Sequence, residues 1–221
     1  MLSTAYVPSA EAAYIAGLSD RQLQRLFDEE VLVDPFVVNQ NGRFFARISA
    51  AFAKFYFDLD DDLTASARRF VITQISRRVL ARSDADELLA LNFQSTIMDW
   101  DVGFKNFEIK LGAFVTQAQA RAAQIETAHR LIMQDPDILG GQPVVKGTRL
   151  PVDTLVAMHR SGRSFAQLQI DYPSLTQELL DAAGIYQAIH PRRGRPMKSD
   201  ALPSGWKPRS QRVVRLGNAR V

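Results

Sequence analysis

Three histidines, His129, His159 and His190, are the natural candidates for metal ligation or general acid–base work. They stand about thirty residues apart, without the short spacings that bring two ligands onto one metal. Glu126 and His129 lie one helical turn apart, with Asp135 and Asp137 following, and that pattern reads as a solvated helix face. The chain has no cysteine, which excludes a thiol nucleophile, Cys-ligated zinc and a disulfide scaffold. No Gly-x-Ser-x-Gly elbow occurs. Gly141–Thr148 contains glycine, lysine and threonine, but its order is Lys-Gly-Thr where a phosphate loop needs Gly-Lys-Thr, and Pro143 removes an amide. It reads as a rigid loop leading into a helix. With no catalytic constellation, a metal, a cofactor and an enzymatic activity are not expected.

A second set of side chains has a different chemistry. Arg21, Gln22, Gln24 and Arg25 offer long, forked donors of the kind that read guanine and adenine edges in a major groove. They interleave with Leu23, Leu26, Phe27 and Val31, which follow a helical period. Arg43 sits beside a predicted hairpin tip, where it would reach phosphate or the minor groove. Ser19, Arg21, Gln22, Gln24, Arg25, Arg43 and Arg47 are therefore the candidate DNA-contacting residues.

The elements that would position them are legible. Ser9 is expected to cap a helix over Ala10–Ala16, and Gly17 to end it. Ser19 then caps Asp20–Val31, with Gln22 completing a capping box. Val33–Asn39 and Arg43–Ile48 flank Asn41-Gly42, a hairpin signal, and a helix over Ala50–Phe57 follows. After the acidic run Asp58–Asp62, Thr64 caps Ala65–Arg82, with Phe70, Ile72, Ile75 and Val79 inward and Arg68, Arg69, Arg77 and Arg78 outward. Ser95–Trp100 and Phe107–Phe114 read as short strands, and Gln117–Gln134 as helix. Beyond the turn-rich loop Asp135–Val152 come helices Asp153–Ser161, Ser164–Asp171 and Thr176–Ile189.

Of 221 residues, 46% are hydrophobic and 23% charged, which permits a buried core and excludes wholesale disorder. No apolar run reaches membrane-spanning length. Met1–Ala16 carries Glu11 and no Lys or Arg, unlike a secretory signal, so the expectation is a soluble cytoplasmic chain. The net charge of +3 is unevenly placed. His190–Val221 holds nine Lys/Arg against Asp200 alone, +8, while Met1–Ile189 is −5. The tail composition predicts a segment that does not fold by itself.

Two stretches carry a family resemblance. Tyr6–Phe57 resembles the winged helix-turn-helix heads of MerR-type regulators and of antitoxins. Asp135, Pro136, Ile138, Gly140, Gly141, Pro143, Gly147, Thr148, Arg149, Pro151 and Val152, with Asp171-Tyr172-Pro173-Ser174-Leu175-Thr176 after them, resemble a small three-helix domain. That domain, long described as of unknown function, is seen in antitoxins paired with PIN-domain ribonuclease toxins of the VapBC type. The combination is similar to VapB-type antitoxins.

The implied fold is mainly α. It comprises a winged helix-turn-helix head over 1–62, a small α/β middle region over 63–116, a homeodomain-like three-helix bundle over 117–189 and an extended basic tail over 190–221. The implied function is that of a type II antitoxin. It binds and inhibits a VapC-like ribonuclease through the tail, represses its own operon at operator DNA, and assembles as a homodimer or a larger hetero-oligomer with the toxin. PIN nucleases hold Mg²⁺ or Mn²⁺ among carboxylates, and arginines can pair with such a cluster. Arg192, Arg193 and Arg195, then Arg209 and Arg212, with Trp206 and Lys207, are the expected toxin contacts. Alternatively the tail is a phosphate-attracted DNA arm or a solubilising segment. In the loop, Gly140, Gly141, Pro143, Gly147 and Thr148 are expected to shape the backbone and Pro151 to begin a helix. Lys146 and Arg149 either meet a partner or pair with Asp135 and Asp137. The other function class is a stand-alone helix-turn-helix regulator whose middle region senses a ligand.

Overall fold

The computed structural model describes residues 4–93 and 98–191. In chain order the elements are β1 (Tyr6–Pro8), α1 (Ser9–Ala16), α2 (Asp20–Asp28), β2 (Val37–Asn39), β3 (Arg43–Ala46) and α3 (Ser49–Asp58). They continue with α4 (Ala65–Leu80), α5 (Ala85–Leu89), β4 (Asp101–Phe104), β5 (Phe107–Lys110) and α6 (Gly112–Leu131). The last are β6 (Ile132–Met133), a 3-10 turn at Leu139–Gly141, β7 (Val144–Val145), α7 (Val152–Arg160), α8 (Phe165–Asp171) and α9 (Gln177–Ile189). The described chain is mainly helical, with small antiparallel sheets ordered β1-β3-β2, β4-β5 and β6-β7.

Local chemistry sets most helix ends. Gly17, at φ 67°, closes α1, with Gly17 N–H on the Tyr14 carbonyl and Leu18 N–H on that of Ala13, both at 3.0 Å. This paired closure needs a left-handed residue, which favours glycine. Ser19 and Gln22 cap α2 reciprocally, at 3.3 and 3.0 Å. Thr64 caps α4, Ser164 and Gln167 form a second capping box on α8, and Thr176 caps α9. Ser9 is not a cap. Pro8 holds that position, and the Ser9 hydroxyl instead bonds the Asp20 carboxylate and accepts from Gln24, joining α1 to α2.

Two cores form. The larger gathers α1–α3, the three-stranded sheet, α4, α5, the β4–β5 hairpin and the first part of α6. The smaller holds Ala128, Ile132, Val145, Leu150 and the inward faces of α7–α9. Helix α6 belongs to both: Val115, Ala118, Ala122 and Ile125 enter the first, Ala128 the second. Alanines along this stripe let neighbouring helices approach closely. Helix α9 spans the same boundary, with Ala183 and Tyr186 in the second core and Ile189 in the first.

Several expectations are corrected. In α4 the buried stripe is Ala67, Arg68, Val71, Ile72, Ile75 and Val79. Phe70 is 41% exposed and leans on Phe104, with ring centroids 5.5 Å apart. Arg68, expected outside, is buried; its guanidinium lies 4.3 Å over the Tyr56 ring and donates to the Tyr56 carbonyl. A long apolar stem can line a core, and one hydrogen bond with a ring face offsets part of the lost hydration, while the buried Nε has no partner. The strand expected over Phe107–Phe114 ends at Lys110, and helix α6 begins at Gly112. Of the strand expected over Ser95–Trp100, residues 95–97 lie outside the described residues and 98–100 are not strand, while Asp101–Phe104 is. Two strands over Val33–Asn39 and Arg43–Ile48 shorten to Val37–Asn39 and Arg43–Ala46, joined by Gln40-Asn41-Gly42.

Candidate functional site

Helix α2 is fixed from beneath by Leu23 and Leu26, both fully buried, so Asp20, Arg21, Arg25 and Asp28 face outward. Arg21 is exposed, with no hydrogen-bond or ion-pair partner among the described residues. Arg25 pairs with Glu29 one turn on. That hydrogen bond, more than the pair's charge, holds the Glu29 carboxyl below its ordinary value and raises the guanidinium. Gln22 is occupied in the cap with Ser19. Gln24 bridges Ser9 and Arg43.

The hairpin tip stands beside this helix. Arg43 lies 4.1 Å over the Phe27 ring and 3.3 Å from the Asp28 carboxylate. Asn41, at φ 52°, and Gly42 make the bend. Arg47, the other arginine of the expected set, donates to Glu126 on α6, and its side chain is only 17% exposed. The outward cations that remain are Arg21, Arg25 and Arg43. The latter two are held by solvent-exposed pairs, weak enough for an incoming phosphate to exchange.

The expected toxin contacts Arg192, Arg193, Arg195, Trp206, Lys207, Arg209 and Arg212 lie outside the described residues.

The glycine-rich loop shows why it carries these residue types. Gly140, Gly141 and Gly147 all have positive φ, at 64°, 81° and 77°. The Thr148 hydroxyl donates to the Val145 carbonyl (2.8 Å) and accepts from Leu150 N–H (3.0 Å), while Val145 N–H meets the Leu150 carbonyl (3.0 Å). The threonine thus closes its own turn and has no hydroxyl to offer a phosphate. Pro143 accepts from Val152 N–H at 2.9 Å, and Pro151 sits at the cap position of α7. Lys146 N–H bonds the Leu131 carbonyl, but its side chain and that of Arg149 are exposed. Neither forms an ion pair with Asp135 or Asp137; the Asp135 carboxylate instead accepts from Asp137 N–H at 2.9 Å.

The fold also brings together what the sequence separates. Thr148–Pro151 and Tyr172, Ser174 and Leu175 line one cleft of about 370 Å³, joined by Thr154 and Leu179. The Tyr-Pro-Ser-Leu run was the signal for the second wall. His129 and His190 flank Tyr186, with the Tyr186 and His190 rings stacked at 4.2 Å. Burial raises the Tyr186 phenol above its ordinary value. Among the described residues no group of three or more His, Asp or Glu is placed to hold a metal ion. None of their helices is long and apolar enough to cross a membrane.

Residues 132–186, which contain this loop and cleft, match the family described as a protein of unknown function (DUF433). Over 197 residues the chain is 34% identical to a protein of Sinorhizobium fredii (strain NBRC 101917 / NGR234) named "Uncharacterized protein y4eO". The match covers 89% of this chain and 87% of that protein. The chain belongs to the y4eO family. No solved structure matches it.

Proposed function

We propose that the protein is a DNA-binding antitoxin. Its head reads operator DNA, and its basic tail inhibits a partner ribonuclease of the PIN type. The observation that carries the DNA half is the arrangement of α1, the left-handed turn at Gly17, and α2 with its outward Arg21 and Arg25 beside the β2–β3 hairpin. This arrangement supports the winged helix-turn-helix reading, in which α2 is the recognition helix and the hairpin the wing. Arg21 and Arg25 are the base-reading side chains and Arg43 the phosphate contact, while Gln22 holds the helix start. Helices α7–α9 form the homeodomain-like bundle of this reading. The tail half rests on charge: +8 over His190–Val221 against −5 over the rest. Arginine-rich segments form bidentate pairs with the carboxylates that line a metal nuclease site.

Co-expression with a small nuclease encoded next to this chain tests the reading. The expected result is a stable complex and relief of toxicity. Removing residues 191–221 should abolish relief and leave specific operator binding intact. Failure to form a complex, or relief that survives the deletion, overturns the antitoxin assignment. A stand-alone regulator is the second reading. The cleft that would serve it lies in the smaller core rather than in the 63–116 region expected to sense a ligand. The reading is distinguished by operator binding that changes with a small ligand and without any nuclease.

A further inference from the structure

The 370 Å³ cleft of the smaller core has the make-up of a ligand site. Its floor includes Leu150 and Leu175, 8% and 2% exposed. Besides Thr148, four of the side chains lining it are polar: Arg149, Thr154, Tyr172 and Ser174. None of the four has a side-chain hydrogen-bond or ion-pair partner among the described residues. Thr148, by contrast, is consumed in its own turn. The cleft therefore joins an apolar floor to a fixed positive charge and three hydroxyls, all able to donate. Arg149 stands in the short segment between the Thr148-closed turn and Pro151, where the backbone is pinned on both sides by Val145–Leu150 and Pro143–Val152 hydrogen bonds. The pinned backbone fixes where the Arg149 side chain starts, so little main-chain freedom is lost on binding.

We infer that this cleft binds an apolar carboxylate. Arg149 and the hydroxyls hold its oxygens, and its hydrocarbon part lies over Leu150 and Leu175. A cavity of this volume falls at the small end of ligand sites, which are commonly about 300–1,000 Å³. The same chemistry has two sources, a free acid or the terminal carboxylate of a peptide ending in an aliphatic residue. The inference does not depend on the antitoxin reading, and its test needs neither DNA nor nuclease.

The test is an NMR titration of the full chain with hexanoate, hexanamide and N-acetyl-leucine. Hexanoate or N-acetyl-leucine should shift amides of Thr148–Thr154 and Tyr172–Leu179, with hexanamide at least about tenfold weaker, because only an anion gains the charge-assisted bonds. Tighter binding of N-acetyl-leucine assigns the occupant to a chain terminus, and tighter binding of hexanoate to a free acid. Arg149→Gln, an exposed position, should weaken both carboxylates about tenfold or more with an unchanged spectrum elsewhere. Ser174→Trp should block the mouth and abolish the shifts. Equal affinity for the amide, full affinity in Arg149→Gln, or no shifts with either carboxylate at millimolar concentration overturns the proposal.

Discussion

Arg47, at the turn between β3 and α3, donates to Glu126 on α6, seventy-nine residues away in the chain. Two further ties run beside it: the Tyr14 hydroxyl to Gln124 at 3.0 Å, and Arg121 to the Tyr14 carbonyl at 2.6 Å, with the guanidinium also over the Tyr14 ring. Together they hold α1 and the β3–α3 turn onto the helix shared by both cores.

The Arg47–Glu126 pair is asymmetric, with Glu126 61% exposed and Arg47 largely enclosed. Arg47→Ala should lower unfolding stability by about 1–2 kcal/mol, since packing and a charged hydrogen bond are lost together. Glu126→Ala should cost under about 1 kcal/mol. Urea denaturation of both variants checks this. If Arg47 were a phosphate contact, its removal would also reduce the salt slope of operator binding by about 1. The slope should instead be unchanged.

Helix α2 depends on its first turn. Ser19→Ala should cost about 1 kcal/mol, as for other lost caps. Gly17→Ala should cost a similar amount, about 1–2 kcal/mol, because φ 67° suits only residues without a β-carbon penalty. An added Cβ would meet Arg121 at 3.7 Å, ordinary contact, so backbone strain rather than collision sets the loss. Arg21→Ala, exposed and unpartnered, should stay within about 0.5 kcal/mol in stability while losing about 1–3 kcal/mol of specific operator binding. Unchanged operator affinity would remove Arg21 from the reading face.

Glu29 provides a pH test. Its carboxyl is lowered first by the hydrogen bond from Arg25 and then by that charge, by Tyr56 and by Arg69. A depressed folded-state value means that the pair's contribution is complete above the unfolded carboxylate range, near about 4.3. It is lost as pH falls through the lower, folded value. In Arg25→Ala the Glu29 carboxyl should titrate closer to its ordinary range in a carbon-detected NMR experiment. An unmoved titration would show that Arg25 is not the cause.

Leu155 is fully buried in the smaller core. Leu155→Ala should cost about 2–5 kcal/mol by cavity formation. Hydrogen exchange should accelerate first in α7–α9, with the sheet of the head following only as α6 is released. Uniform acceleration throughout would mean that the two cores unfold as one unit.

Short-range chemistry was legible in the residues alone. Ser19 with Gln22, and Thr64, act on groups within three residues of themselves, and they cap α2 and α4 as their types require. Gly17 and Asn41-Gly42 mark turns for an equally local reason, a positive φ. Such signals need no knowledge of the rest of the chain. The periodic leucines likewise place Leu23 and Leu26 inside α2, and with them the outward face of Arg21 and Arg25.

Tertiary structure alone decided where long polar side chains end. Arg68 and Phe70 differ by two positions, and the exchange of their expected places follows from how α4 is rotated against Tyr56 and Phe104. Arg47 stood among the candidate DNA contacts by its type, and only the packing of α6 shows the Glu126 carboxylate beside it. The assembly of Arg149, Thr154, Tyr172 and Ser174 around one cleft depends on β6–β7, α7 and the α8–α9 connection closing over the same core. Hydrophobic periodicity reports which side of an element is buried. It does not report which distant side chain waits there, because that depends on the packing of every other element.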